Sequence, residues 1–284
     1  MAQFTNQAQL SYNDRIVNSN VAVGEILEVL SAAKTAVTTT YTAGDDVTYV
    51  ISAINTGATP ITGLTVSDDL GGFPRDTEIL YPLTYKEGSA RLYINGVLQA
   101  APTVTAGPPL TFVGITIPAG GNMVLVYEAL TNQFSPLDPD GSITNTATVT
   151  ANGITTPIVV SETVTPAAES DLTITKSIEP PTVVENGTVT YRFVIRNYGN
   201  VAADADANVS VTDVFDPVLY NLTASLEGEA LVEGTDYTYV QADGLFATVP
   251  GRITVPAATF TQDVQTGAWI TVPGTVTLTV SGNF

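Results

Sequence analysis

Phe4 to Tyr12 reads FTNQAQLSY, and Ile143 to Ala151 reads ITNTATVTA. In both stretches most apolar side chains occupy alternate positions, with polar side chains between them. An alternation with a period of two predicts a β-strand with one buried face. Both stretches also contain Thr-Asn-x-Ala, which places an Asn on the apolar face. We therefore expect them to be two copies of one strand.

The likeness continues beyond the strand itself. Asn13-Asp14 follows the first copy and is a turn signal, after which Ile16-Val17 and Val21-Ala22-Val23 predict a return strand. Asn152-Gly153 follows the second copy, and Ile158-Val159-Val160 comes next. The repeated unit is therefore a strand, a turn and a return strand.

A longer duplication lies between these two units. Three segments recur at one constant offset, with no gap between them. A gapless match of this length indicates internal duplication. The paired segments are Leu30–Lys34 with Leu172–Lys176, Val47–Tyr49 with Val189–Tyr191, and Asn55–Gly57 with Asn197–Gly199. After a small insertion, Leu64–Asp68 matches Val209–Asp213.

The order of these units predicts the domain organisation. Residues 1–25 are expected to be an N-terminal donor-strand segment, and residues 26–168 a complete β-sandwich domain. Residues 169–284 are expected to be a second β-sandwich domain that lacks its final strands, because no Thr-Asn-x-Ala stretch follows its late strand. We therefore expect the chain to begin with the last strands of one domain, to contain one complete domain, and to end with a domain that lacks its last strands.

Composition narrows the class of protein. The 284 residues are 44% hydrophobic and rich in Thr, Val, Gly and Pro, which predicts an all-β globular chain. A net charge of −19 argues against nucleic-acid and anionic-membrane partners. With no His and no Cys, Ser-His-Asp catalysis, Cys-His catalysis and imidazole metal sites are excluded. We expect no enzyme activity and no cofactor.

The sequence gives little sign of a membrane or export segment. No apolar run is long enough to span a bilayer, so we expect no membrane insertion. The N-terminus does not have the basic and then apolar pattern of a signal peptide. Either a signal has been removed from this chain, or the protein reaches its destination without one.

The repeated motifs resemble a family of conserved-repeat, immunoglobulin-like domains of unknown function in bacterial surface proteins. The second domain departs from the family pattern because it has no Thr-Asn-x-Ala of its own. The matching motifs are Lys34-Thr35, Gly44–Tyr49, Asn55-x-Gly57, Val66-x-Asp68, Pro118-Ala-Gly120 and Thr144-Asn-x-Ala147.

This resemblance implies immunoglobulin-like sandwiches that serve as stalks or structural modules. The two-domain layout is most similar to subunits of spore appendages in anaerobic spore-formers. It implies an extracellular location on a cell or spore surface, with surface anchoring proteins as further partners.

A sandwich without its last strand exposes unpaired backbone groups and an apolar floor, and it is prone to strand addition. We expect the N-terminal strands of one subunit to complete the second domain of the next. That contact would propagate head-to-tail into a homopolymeric fibre by donor-strand complementation. The predicted polymer interface comprises Phe4, Asn6, Ala8, Leu10, Tyr12, Ile16, Val17, Val21, Val23, Val276, Leu278 and Val280.

Two other interpretations compete with the fibre. The N-terminal segment could fold back and close the second domain of its own chain, although the intervening complete domain argues against this. The protein could also be a monomeric adhesin or stalk-type binding module of the cell surface, with loops 70–82 or 101–110 contacting a ligand. Filaments seen by microscopy would separate the fibre from both.

Three polar residues in each domain fall on apolar faces. A buried Lys is costly unless it is paired, and a Lys, an Asn and an acid are the set required for a spontaneous isopeptide bond. The two predicted sets are Lys34, Asp68 and Asn145 in the first domain, and Lys176, Asp213 and Asn6 of the neighbouring subunit in the second. The alternative is a buried Lys–Asp ion pair with the Asn capping backbone groups.

One weak metal candidate is present. Asp138-Pro-Asp140-Gly contains two carboxylates that could hold calcium, although Asp and Gly in this arrangement are more often turn residues. We predict no other metal site.

Overall fold

The computed structural model describes residues 2–26 and 28–284, and for residues 2, 3, 25 and 26 it describes the backbone alone. The fold is all-β: two tandem β-sandwiches preceded by an N-terminal hairpin. A short 3₁₀ helix, Ala205–Ala207, interrupts the strands. In the part of the chain that is described, no helix has the length and apolar character needed to cross a membrane.

The N-terminal hairpin consists of four short strands that pair only with one another in the sheet topology. Strand β1 pairs with β4, and β2 pairs with β3, all antiparallel. Asn13 and Asp14 turn the chain with positive φ angles of 45° and 62°, the conformation of a tight two-residue hairpin turn. The strands are β1 (Ala2–Asn6), β2 (Gln9–Tyr12), β3 (Arg15–Asn18) and β4 (Ala22–Ile26).

The first sandwich consists of strands β5 to β18. Two six-stranded sheets face each other, one in the order β13-β12-β16-β7-β5 with β11 beside β16, the other β14-β15-β8-β17-β18-β6. The strands are β5 (Leu30–Ala36), β6 (Thr40–Tyr41), β7 (Asp46–Asn55), β8 (Ile61–Asp68), β9 (Phe73–Arg75), β10 (Glu78–Leu80), β11 (Leu83–Tyr85), β12 (Arg91–Ile94), β13 (Val97–Leu98), β14 (Thr103–Thr105), β15 (Leu110–Ile117), β16 (Asn122–Thr131), β17 (Ile143–Thr150) and β18 (Ile158–Pro166).

The core of the first sandwich follows from the alternation in its long strands. In β7 and β16 every second side chain is buried, and the apolar side chains of β8, β15 and β17 meet them from the opposite sheet. Strands buried on one face are expected from a period of two. Tyr49 and Tyr127 lie at the centre, with ring centroids 5.6 Å apart.

The second sandwich consists of strands β19 to β28. Its larger sheet has the order β19-β20-β28-β22-β23, and its smaller sheet has only β21-β25-β24. The strands are β19 (Leu172–Glu179), β20 (Thr188–Asn197), β21 (Thr212–Val214), β22 (Tyr220–Leu226), β23 (Glu229–Ala230), β24 (Tyr237–Val240), β25 (Leu245–Thr248), β26 (Thr259–Gln262), β27 (Trp269–Val272) and β28 (Gly274–Asn283).

The sequence repeat aligns the two sandwiches strand by strand. Strands β5, β7 and β16 match β19, β20 and β28, while β8 and β15 match β21 and β25. In the first sandwich β8 lies between β15 and β17. In the second, β21 pairs with β25 on one side, and no strand of the described chain pairs with its other side. The predicted domain boundaries themselves stay a prediction.

The two sandwiches touch through the β26–β27 hairpin. The guanidinium of Arg75, at the end of β9, donates hydrogen bonds to the carbonyls of Asp263 and Val264. The backbone N–H of Trp269 donates to the carbonyl of Gln133 at 2.8 Å. Loop 70–82, one of the loops proposed to contact a ligand, thus carries a residue that packs against the second sandwich.

Candidate functional site

The first candidate site is a polar cluster inside the first sandwich. Lys34 lies on the inward face of β5 because the alternation of that strand places it with Leu30 and Ala32. Its Nζ is 2.6 Å from Oδ2 of Asp68, and neither side chain has any surface exposed to solvent. The Nζ also lies 4.7 Å from the ring centroid of Tyr49, which is cation–π distance.

Asp68 is held from three directions. Its Oδ2 accepts hydrogen bonds from Lys34 and from the Tyr127 hydroxyl at 2.5 Å, and its Oδ1 accepts one from the backbone N–H of Leu70 at 3.0 Å. The carboxylate is therefore positioned by a strand end on one side and by the facing sheet on the other. A buried ion pair needs such additional hydrogen bonds to offset desolvation.

Asn145 completes the cluster from β17. Its Nδ2 donates to the Tyr127 hydroxyl at 3.3 Å. Among the described residues, neither Oδ1 of Asn145 nor the hydroxyl oxygen of Tyr49 has a hydrogen-bond partner, although both are buried. The structure thus brings together Lys34, Asp68 and Asn145, the three residues that the sequence assigned to one set.

Burial decides the protonation of this cluster. Burial lowers the pKa of Lys34 below its ordinary value, although the negative charge of Asp68 and its hydrogen bond oppose the shift. Burial likewise raises the pKa of the Tyr49 and Tyr127 hydroxyls, and the charge of Asp68 adds to this rise in pKa. Both tyrosine hydroxyls are therefore neutral at physiological pH.

The second sandwich contains the matching Lys–Asp pair, which is more exposed to solvent. Lys176 forms an ion pair with Asp213, and its Nζ lies 4.7 Å from the ring centroid of Tyr191. The side chains of Lys176 and Asp213 are 41% and 18% exposed, whereas those of the matching Lys34 and Asp68 are both fully buried. Water reaches the second pair because nothing in the described chain stands where Asn145 stands in the first sandwich.

The second candidate site is the open side of this sandwich. In the first sandwich β17 pairs with β8, and β18 packs over β5. In the second, every residue of the matching strand β19 is exposed, including the apolar Leu172, Ile174 and Ile178 on the same face as Lys176. An unpaired edge beside exposed apolar side chains is the kind of surface that is prone to strand addition.

This arrangement corrects the predicted position of the open edge. Val276, Leu278 and Val280, assigned to the polymer interface, are buried in β28, and that strand has β20 on one side and β22 on the other. A strand with two hydrogen-bonded neighbours cannot accept a third. Among the edge strands of the second sandwich, β21 is the one whose free side corresponds to the side of β8 that β17 pairs with.

The predicted donor residues lie in the N-terminal hairpin. Asn6 and Ala8 are exposed. The large apolar residues of the hairpin are also exposed in the single chain, namely Phe4, Leu10, Tyr12, Ile16, Val17, Val21 and Val23.

The calcium candidates sit in a turn. Oδ1 of Asp138 accepts a hydrogen bond from the backbone N–H of Asp140 at 3.2 Å, and the carbonyl of Asp138 accepts one from Gly141. No group of three or more potential metal-ligating side chains occurs among the described residues. The arrangement is that of a turn stabilised by its own Asp.

Two residues of the first cluster were missed by the sequence analysis. Tyr127 links Asp68 to Asn145, and Tyr49 lies beneath Lys34 with its hydroxyl unpartnered. Tyr49 recurs at the repeat offset as Tyr191, a signal that could have identified it. Tyr127 has no such signal, because Val280 stands opposite Tyr191 where Tyr127 stands opposite Tyr49.

Comparison with known proteins gives only distant similarities. No family model and no curated protein sequence matches the chain. The pilus backbone RrgB of Streptococcus pneumoniae is 12% identical, with a TM-score of 0.36, over 86% of this chain and 55% of that one. This chain therefore spans about half the length of RrgB.

Two further solved structures show similar levels of likeness. A form of BcpA, the major pilin subunit of Bacillus cereus, is 10% identical with a TM-score of 0.39, over 96% of this chain and 73% of that one. A family 123 glycoside hydrolase from Clostridium perfringens is 11% identical with a TM-score of 0.31, over 49% and 28%. With TM-scores of 0.39 or below, these similarities carry no conclusion about function.

Proposed function

We propose that this chain is a structural subunit of an extracellular fibre, in which the N-terminal hairpin of one copy completes the second sandwich of the next. One observation carries the proposal. The second sandwich is open at the place where the first holds β17 and β18, and the hairpin repeats the sequence of β17. The hairpin is thus the segment of this chain that matches the opening.

The pairing within the hairpin supports this match. In the first sandwich Ile143 pairs with Val164, and Asn145 with Glu162. In the hairpin the corresponding Phe4 pairs with Gly24, and Asn6 with Ala22. At these two pairs the first strand of the hairpin aligns with β17 and the last with β18. Nearer the turn the register of the hairpin shifts by one residue, because Leu10 pairs with Val17, whereas the corresponding β17–β18 pairing continues unshifted to Val149 and Ile158. The part of the hairpin farthest from the turn is therefore the part that matches the β17–β18 pair.

The first sandwich also gives the register of the contact. Ala147 pairs with Asp68, and the backbone N–H of Asp69 donates to the carbonyl of Thr146. Carried over through the repeat, Ala8 of the donor pairs with Asp213. In that register Leu10 of the donor pairs with Val211 of the acceptor.

The apolar residues of the hairpin supply the driving force. Phe4 is 54% exposed and Leu10 is 62% exposed in the single chain, and β19 presents Ile174 with 53% of its surface exposed. Burying each large side chain contributes roughly 1.5–3 kcal/mol, so the set contributes on the order of 10 kcal/mol before entropy costs. Ladder hydrogen bonds to β21 add to this.

Donor and acceptor lie in different parts of one chain, so their contact is heterologous. A heterologous contact that does not close on itself propagates into a filament. Such a polymer requires no partner other than further copies of the chain. We place it on the outside of a cell or spore, where surface anchoring proteins would attach it.

A covalent lock is the second part of the proposal. In the first sandwich, Lys34 would form an isopeptide bond with Asn145. Docking of the hairpin would bring Asn6 of the donor to Lys176 and Asp213 of the acceptor, since Asn6 matches Asn145 in the repeat. The same chemistry would then join each subunit to the next.

Two disabled variants test the polymer. Leu10→Asp places a charge on the apolar face of the donor, and Thr212→Pro removes a backbone N–H from the open edge of β21. Each variant alone is expected to stay monomeric in light scattering and negative-stain microscopy, while the unaltered chain forms filaments. Mixed together, they are expected to form dimers, because each retains one working half.

The control for the added charge is Val97→Asp, at an exposed valine of strand β13. This variant is expected to form filaments as the unaltered chain does. A monomeric unaltered chain, or filaments from both disabled variants, would reject the proposal. A monomer that binds glycans or matrix proteins would favour the adhesin interpretation instead.

A further inference from the structure

In the described part of the chain, the polar cluster of the first sandwich contains two buried atoms that lack a hydrogen bond. They are Oδ1 of Asn145 and the hydroxyl oxygen of Tyr49. Such atoms are rare in folded proteins, and each one calls for an explanation. Here one is an acceptor and the other belongs to a group that can donate. The Tyr49 ring lies 4.7 Å from Nζ of Lys34, and the Asn145 carboxamide is linked to Asp68 through the Tyr127 hydroxyl.

The neighbouring Tyr127 hydroxyl cannot donate a hydrogen bond to Oδ1 of Asn145. Its single hydroxyl proton is donated to Oδ2 of Asp68 at 2.5 Å, and its oxygen accepts from Nδ2 of Asn145 at 3.3 Å. The hydroxyl proton of Tyr49 is donated to no acceptor in the described chain. The Asn145 side chain lies close enough to lower the pKa of Tyr49, against the larger rise in pKa that burial causes.

We propose that the Tyr49 hydroxyl stabilises the oxyanion that forms on Oδ1 of Asn145 when Lys34 attacks the carboxamide. The inference rests on the covalent lock of the proposed function and assigns a new residue to it. A donor that is unpaired before the reaction and paired during it favours the transition state over the ground state.

The step balances with the groups present. The Lys34 ammonium gives one proton to the Asp68 carboxylate, and the neutral amine attacks Cγ of Asn145, so that a C–N bond forms and negative charge gathers on Oδ1. Asp68 passes its proton to Nδ2, and the attacking nitrogen then returns a proton to Asp68. The Cγ–Nδ2 bond breaks, ammonia leaves, and Asp68 ends protonated.

The second sandwich retains this tyrosine and not the other. Tyr191 stands at the position of Tyr49, and Lys176 lies 4.7 Å from its ring centroid, as Lys34 does from the Tyr49 ring. Val280 stands at the position of Tyr127. The same oxyanion donor is therefore available to both locks, and Tyr191 would serve Asn6 of a docked neighbour.

The test follows bond formation in the full chain after cell-free synthesis. Samples are denatured at intervals, and their intact mass is measured, since each bond removes the mass of one ammonia. Digestion then locates the Lys34–Asn145 cross-link. Tyr49→Phe is expected to slow this cross-link by about 100-fold, the effect of removing one oxyanion donor, and to leave the final product unchanged.

Tyr41→Phe is the matched control. Tyr41 is another buried tyrosine of the first sandwich, and its hydroxyl donates to the carbonyl of Pro136, away from the cluster. Circular dichroism on the same samples reports folding, so slower folding and slower bond formation are told apart.

The outcomes distinguish a failure of the covalent lock from a failure of the role assigned to Tyr49. If the unaltered chain never loses ammonia from Lys34 and Asn145, the lock and the role of Tyr49 both fail, while the polymer is judged by its own variants. If the unaltered chain forms the bond and Tyr49→Phe forms it as fast as Tyr41→Phe, the role of Tyr49 alone is overturned.

Discussion

Lys34 and Lys176 occupy the same place in the repeat and differ in the water that reaches them. The Lys34–Asp68 pair is fully buried, whereas the Lys176–Asp213 pair is partly open. Removing one partner from a buried pair leaves an uncompensated charge, but an exposed charge is still solvated. The free energy of unfolding that is lost when one partner is removed therefore depends on whether the sandwich is closed.

Asp68→Asn and Asp213→Asn test this difference. Both changes are made in a background with Leu10→Asp and Asn145→Ala, which keeps the chain monomeric and removes the electrophile from the first sandwich. We expect a loss of about 3 kcal/mol in the free energy of unfolding for Asp68→Asn and less than about 1 kcal/mol for Asp213→Asn. Equal losses in chemical denaturation would contradict the assigned burial.

The pH dependence of the first lock follows from the same burial. The Lys34–Asp68 pair must share one proton that finally reaches Nδ2, and that proton is lost above the pKa of Lys34. Burial lowers this pKa from its ordinary value of 10.5. We expect the rate of Lys34–Asn145 bond formation to fall on the alkaline side with a midpoint below 10.5. A rate that still rises through that pH would count against the mechanism.

The hairpin turn matters at the scale of the element. Asn13 and Asp14 both have positive φ, a conformation that β-branched residues strongly disfavour. Asp14→Val is expected to destabilise the hairpin by about 1–2 kcal/mol and to lengthen the lag of filament growth in light scattering. Asp14→Gly, which accepts positive φ, is expected to leave the lag near that of the unaltered chain. Equal lags for the two variants would mean that the hairpin is not preformed.

The elements also show how far a sequence with an internal repeat can be read. Composition predicted the all-β class, the constant offset predicted the internal duplication, and the recurrence of Thr-Asn-x-Ala predicted which segment matches β17. The position of the open edge could not be obtained this way. Strand β28 and its counterpart β16 come late in their copies, but only the sheet order shows that β28 is central and that β21 lies at an edge.

The candidate site was predictable only in part. The facing of Lys34, Asp68 and Asn145 follows from a period of two, because each falls among apolar neighbours on its own strand. Tyr49 and Tyr127 also obey that period, and both read as core aromatics. That one hydroxyl is bonded and the other is free depends on distances between sheets, which one strand does not encode.

At the scale of the whole molecule, charge opposes assembly. Each chain carries a net charge of −19, so bringing subunits together brings like charges together. Salt screens exposed charges over about 10 Å at 0.1 M. Filament growth, followed by light scattering, is therefore expected to accelerate from low to moderate ionic strength. Growth that slows as salt is added would indicate that attraction between exposed charges drives the contact.

The register of the donor is the most specific feature of the proposed fibre. Because Thr148 pairs with Ser67 in the first sandwich, Gln9 of the donor is expected opposite Thr212 of the acceptor. Residues directly opposite in a hydrogen-bonded pair have Cα atoms about 5.5 Å apart, a separation that a disulfide spans. The chain contains no cysteine of its own, so any disulfide between protein thiols must join the introduced cysteines.

The most direct measurement is oxidation of the Gln9→Cys, Thr212→Cys chain in an Asn6→Ala background, followed by non-reducing denaturing electrophoresis. Asn6→Ala removes the proposed isopeptide link between subunits. The account predicts a ladder of multimers that collapses on reduction, and no ladder from Ser11→Cys with Thr212→Cys, which is two residues out of register. Monomers only, a disulfide closed within one chain, or equal ladders from both pairs would contradict it.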